Sequence, residues 1–139
     1  MKHLLLFEYF SFNDLLRSNI IDKANKVCKT IPSQEINFQT FCNYIIPGFI
    51  SFKPLFYEKI SRNRYIKGNI ESQLKIGDVI AFGNIEPKYY CIYIGNSRVL
   101  ESDGWNKMPK EKNIIEIFED YTDILKIYRD ENIINNFRH

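Results

Sequence analysis

Leu74 to Ser102 reads LKIGDVIAFGNIEPKYYCIYIGNSRVLES, and its pattern decides the fold class. Val79 to Phe82 and Tyr90 to Ile94 are short runs rich in β-branched and aromatic residues, bounded by Gly77-Asp78, Gly83-Asn84 and Gly95-Asn96. Strands set off by tight turns have this composition. Asn84 to Lys88 joins the first two strands as a hairpin. Gly95-Asn96-Ser97 returns the chain into Arg98 to Glu101, because glycine and asparagine tolerate the positive φ that hairpin turns demand. The stretch therefore predicts three consecutive antiparallel strands.

Outward from this core, helical signals lie mainly upstream. Leu4 to Phe10 is a short apolar run that reads either as a strand or as the start of a helix. Ser11 with Asp14 makes a capping-box-like start for a helix through about Lys29, with Leu15, Leu16, Ile20, Ala24, Val27 and Cys28 at helical spacing. That places Cys28 on the core face as a packing residue. Ile31 to Asn37 reads as a loop and Phe38 to Ile46 as a short helix. Pro47-Gly48 and Pro54 break the chain before a helix expected from Leu55 to Asn63. Downstream, Asp103-Gly104 turns into a loop that lasts to Asn113. Ile114 to Phe118 and Ile124 to Tyr128 read as two further strands, and Glu131 to His139 as a frayed helical tail. With no repeats and no low-complexity linker, the 139 residues read as one domain, 1–139, of α+β class.

The strand core is similar to that of the NlpC-like cell-wall peptidases of the papain-like thiol hydrolase superfamily. The matching residues are Leu74, Gly77-Asp78-Val79-Ile80-Ala81-Phe82, Tyr89-Tyr90-Cys91-Ile92-Tyr93-Ile94-Gly95-Asn96 and Val99-Leu100-Glu101. Upstream, Asn19 to Val27 resembles the helix that opens such domains. Asn37-Phe38-Gln39-Thr40-Phe41-Cys42-Asn43 stands where the family carries its nucleophile motif. The resemblance implies a papain-like, NlpC-type architecture, with N-terminal helices packed on an antiparallel sheet of about five strands. It also implies a site of Cys42, Tyr89 and Glu101 in the positions of nucleophile, general base and orienting residue.

This chain departs from the family's chemistry at one decisive place, because Tyr89 stands where the base histidine belongs. A cysteine attacks amides as the thiolate, so its ordinary pKa of about 8.5 must be drawn down by a helix N-terminus, a histidinium or a basic neighbour. Tyrosine, with an ordinary pKa near 10, is a poor base at neutral pH. The only histidines are His3 and His139, one at each end of the chain. The expectation is a catalytically impaired relative that binds a peptide, an acyl-amide ligand or a protein partner in the former cleft. The alternative is an active cysteine hydrolase or acyltransferase working through Cys42, and a third reading is a small interaction protein in which Cys42, Tyr89 and Glu101 share no task.

Composition narrows the remaining classes. Cys28, Cys42 and Cys91 are odd in number and lack CxxC spacing, so neither a zinc site nor a disulfide framework is expected, and a reducing compartment fits best. No cofactor is expected. Glu8 interrupts the early apolar run and no segment approaches the roughly 20 apolar residues of a membrane span, so the chain reads as cytoplasmic. Lys53, Lys59, Arg62, Arg64 and Lys67 interleave with Phe52, Phe56, Tyr57 and Tyr65, letters shared by nucleic-acid surfaces and by solvated helices. With a net charge of only +2, nucleic-acid binding is not expected. Lys107, Lys110 and Lys112 read as a solvated loop. Trp105 reads as a packing residue or as the lining of a cleft near Glu101.

Overall fold

The computed structural model describes residues 2–105 and 107–137, with side chains from Phe12 onward. His139 lies outside the described residues, as does the side chain of His3, so neither tests a terminal histidine as a base.

The long first helix, α1, runs Lys2–Thr30 and takes in the early apolar run as well. Leu16, Ile20, Ala24 and Val27 form its buried stripe, while Leu15, expected in the core, is 54% exposed. Successive helical residues turn by about 100°, so Leu15 falls off the stripe that Leu16 leads. The short helix α2, Phe38–Ile45, follows. Asn37 Oδ1 accepts from Thr40 N, and Thr40 Oγ1 accepts in return from Asn37 N, both at 2.8 Å. This reciprocal cap satisfies two of the free donors at the helix start. The helix stops at Ile45, ahead of Pro47 and of Gly48 at φ +73°.

Of the helix expected from Leu55 to Asn63, only Arg62 and Asn63 are helical. Leu55 N instead donates to Ile127 O at 2.9 Å, and Ile60–Ser61 forms a two-residue strand, β1. Helix α3, Arg62–Lys67, begins only after Ser61, whose Oγ accepts from Arg64 N at 3.2 Å. Backbone pairing at a sheet edge thus wins over a weak helical pattern.

The predicted strand core is present as β2, Val79–Gly83, β3, Pro87–Gly95, and β4, Arg98–Glu101. Its second turn is tight: Gly95, Asn96 and Ser97 all have positive φ, at 91°, 53° and 61°. Beyond it the expectation fails locally. The next strand is the polar β5, Lys110–Asn113, and Ile114–Ile117 is a helical turn, α4. Asn113 caps that turn by accepting from Ile115 N at 2.9 Å. Ile114, Ile117 and Phe118 then point together into the core, a spacing of three and four that a strand cannot place on one face. Strand β6, Asp123–Tyr128, and a last turn, α5, Ile133–Asn136, complete the chain.

Six strands form one antiparallel sheet in the order β1-β6-β2-β3-β4-β5. Both of its faces are covered. On one, α1 and α2 bring Ile20, Ala24, Phe41, Cys42 and Ile45 against Val79, Ala81, Ile92, Ile94 and Leu100. On the other, Ile80, Phe82, Tyr89, Cys91, Val99, Ile124 and Ile127 meet Tyr65, Ile70, Ile114, Ile117 and Phe118. Alternation along each strand assigns its residues to the two clusters in turn.

Candidate functional site

Tyr89 and Glu101 come together at one end of the sheet. Tyr89 lies near the start of β3, opposite Phe82, and Glu101 ends β4, opposite Lys110. Tyr89 Oη donates to Glu101 Oε1 at 3.0 Å, and Lys112 Nζ on β5 reaches the same oxygen at 2.7 Å. The Glu101 side chain is only 5% exposed, whereas that of Lys112 is 37% exposed. A buried carboxylate is thus held by one phenol and one ammonium that leads out to water. The bond to Glu101 pushes the Lys112 pKa above the ordinary lysine value.

Aromatic rings close over this pair. Phe38, at the start of α2, stands 4.7 Å from the Tyr89 ring between centroids, and Tyr121 stacks on it at 5.4 Å. Tyr89 is left 3% exposed. Burial above all, then the nearby Cys91 and Glu101, drive its pKa far above that of free tyrosine. It cannot serve as a base near neutral pH.

Cys42 is placed differently. It is the fifth residue of α2, one turn past a helix start already capped by Asn37 and Thr40. The partial positive charge of a helix N-terminus falls off within that first turn and offers little to a thiolate there. The side chain is fully buried in the cluster beneath the helices, whereas Tyr89 belongs to the cluster on the opposite face. Among the described residues Cys42 Sγ makes no hydrogen bond to Tyr89 or Glu101. Burial, reinforced by the negative charge of Glu101, pushes its pKa well above the usual thiol value. Cys91, also fully buried, is shifted the same way, first by burial and then by Cys42 and Glu101.

Lys112, Phe38 and Tyr121 were not singled out as site residues by the sequence. Lys112 sits in Lys-Glu-Lys-Asn, which carries no apolar alternation, and only its pairing with β4 brings it to Glu101. Asp103 and Glu111 stand among the same lysines, so nothing in the sequence singles out Lys112 as the partner of Glu101.

Around the closed centre the loops leaving this end of the sheet expose three large apolar side chains. Ile85 is 88% exposed in the β2–β3 hairpin, and Trp105 and Met108, between β4 and β5, are 88% and 60% exposed. Trp105 therefore neither packs nor lines a cleft. Gly104, at φ +91°, passes against the backbone oxygens of Ser33 and Ile36, which ties that loop to the segment before α2. A shallow pocket of about 270 Å³ lies between Asn84, Ile85, Lys88, Asp120 and Tyr121. A larger cavity of about 480 Å³ is at the opposite end of the sheet, lined by Phe12, Leu16, Ile76, Tyr93, Arg129 and Ile133. Neither is lined by Cys42, Tyr89 or Glu101.

Among the described residues no group of three or more His, Cys, Asp or Glu is arranged to hold a metal ion. No helix among them is long and apolar enough to cross a membrane. No protein-family model matches the chain, and comparison with curated proteins returns no match.

Proposed function

We propose that this protein is a divergent NlpC-like, papain-fold domain that has given up thiol chemistry and works by binding. The observation that carries this reading is the state of Cys42, buried in the middle of α2 with its proton held more tightly than in a free thiol. A nucleophilic cysteine needs the reverse environment, electropositive and open to substrate. Loss of acid–base assistance alone removes about two to four orders of magnitude of rate.

The order of elements supports the family reading: a capped helix carrying Cys42, then an antiparallel hairpin carrying Tyr89, then a strand carrying Glu101. Phe38 and Tyr121 pack on the Tyr89 ring, which favours a peptide or protein partner at the rim over a small amide beside Tyr89. Ile85, Trp105 and Met108 supply apolar contact area there, of a kind enriched in interfaces. The three cysteines are free, which supports a reducing, cytoplasmic setting.

Alkylation of Cys42 as a function of pH, read by peptide mass spectrometry beside turnover of peptide amides and thioesters, tests the proposal. Reaction no faster than unfolding permits, and no turnover, is the expected result. Turnover that disappears in Cys42→Ser overturns it.

A further inference from the structure

The charge of this chain is unevenly placed. Between Lys53 and Lys67 stand five cations, Lys53, Lys59, Arg62, Arg64 and Lys67, against the single anion Glu58, although the whole chain nets only +2. The remainder is slightly acidic, so the near-neutral total conceals a basic pole. The expectation against nucleic acid rested on that total.

The fold gathers this segment along one edge of the sheet. Pro54 bridges to Tyr128, Leu55 N bonds Ile127 O, and Ile60 and Ser61 pair with Ile124 and Asp123. The segment therefore borders the whole of β6, about 17 Å at roughly 3.3 Å per residue. Helix α3 continues from its end. All five cations are exposed, and Lys126 emerges exposed from β6 beside them. Arg64 is committed to Glu58 at 3.3 Å, and Lys59 donates to Asn84 O at 3.1 Å. Lys53, Arg62, Lys67 and Lys126 have no ion-pair partner among the described residues.

One aromatic stands out in water among them. Phe52 and Phe56 are half-buried and Tyr65 packs against Phe118, whereas Tyr57 is 80% exposed. A projecting ring amid unpaired cations meets the two needs of an unpaired strand, a face for a base and charge for phosphates. We propose that the β1 edge, from Lys53 to Lys67 with Lys126, binds single-stranded nucleic acid, with Tyr57 stacking on a base. A duplex would gain nothing from the ring, and α3, six residues long, is too short to read a groove.

Fluorescence anisotropy with a fluorescein-labelled oligothymidylate of about a dozen nucleotides tests this, within the usual site size. Four phosphate contacts predict a log–log salt slope of about −3, so affinity falls roughly 50-fold from about 50 to 200 mM salt. Arg62→Glu with Lys67→Glu lowers affinity at least about tenfold. The same charge change on α1, Lys26→Glu with Lys29→Glu, lowers it less than about threefold. Tyr57→Ala weakens the oligothymidylate but not a duplex of equal length. All five substituted positions are exposed, so the fold is retained. Absence of binding at the lower salt, or equal losses in the two double variants, overturns the proposal. So does an inert Tyr57→Ala combined with equal competition by polyglutamate, which would make the edge a surface for acidic protein.

Discussion

Replacing Lys112 with methionine removes the one ammonium that, among the described residues, touches the buried Glu101 carboxylate, while keeping the aliphatic stem. Truncating one partner of a fully buried pair costs about 3–5 kcal/mol, because the other charge is stranded. A pair at the surface is worth about 0–1 kcal/mol. Glu101 is 5% exposed, but Lys112 is 37% exposed and already well solvated in part, so the value lies between. Glu101 also keeps its bond from Tyr89, which leaves an expected loss of about 2 kcal/mol. Urea denaturation followed by circular dichroism, at unchanged m-value, measures it. Glu101→Gln retains an acceptor for Tyr89 and strands no anion, so the double variant should lose less than the two single losses added, by about 1 kcal/mol or more. The pH dependence has a definite sign. Because the folded Lys112 pKa is raised, its stabilisation is fully present below the ordinary lysine value of about 10.4 and is lost as pH rises through the higher folded value. The deficit of Lys112→Met should therefore be present at neutral pH and narrow in strong alkali. A loss below about 0.5 kcal/mol, or strict additivity with Glu101→Gln, would refute the idea that this pair holds the end of the sheet.

Three other outcomes are expected. Tyr89→Phe deletes the second bond to Glu101 in a buried setting and should cost about 1–2 kcal/mol, read in the same denaturation assay. Cys42→Ser places a hydroxyl in the fully buried helix-side cluster and should cost about 1–3 kcal/mol, while wild-type Cys42 shows no alkylation limb below the ordinary thiol range; a fast limb near neutral pH would contradict its assigned environment. Gly77 is at φ +97° and a Cβ there would overlap Ile133 Cδ1, so Gly77→Ala should lower stability by about 2 kcal/mol or more. Ile133→Ala in the same chain should recover part of that loss; calorimetry showing simple additivity would mean that the two residues do not meet.

The segment Leu74–Ser102 determined its own local structure. Glycine and asparagine at 95 and 96 force the turn, and runs such as Val-Ile-Ala-Phe have no lower-energy use than a strand covered on both faces. The stripe Leu16, Ile20, Ala24 and Val27 likewise marked α1 as a helix, although the start it takes at Lys2 lies ahead of the capping-box-like Ser11 and Asp14. The hairpin order also put Tyr89 and Glu101 on adjacent strands, and the structure joins them. Other elements were undecided locally. Ile-Ile-Glu-Ile suits a strand as well as a helix, and Asn113 with the core position of Phe118 settled it as α4. Lys110–Asn113 has no apolar pattern at all and became β5 because β4 offered it hydrogen bonds and opposite charges.

The same division governs function. Residue type alone confined histidine to positions 3 and 139 and so argued against a cysteine–histidine pair within the strand core. Whether Cys42 could still be activated depended on its burial, its distance along α2 from the capped start and the charge of Glu101. Whether five cations formed a surface depended on Pro54–Ser61 lying along β6. Local propensity acts over a few residues, which is why turns and stripes could be read directly. Desolvation and charge act through space between segments far apart in the chain, and only the tertiary structure brings those segments together.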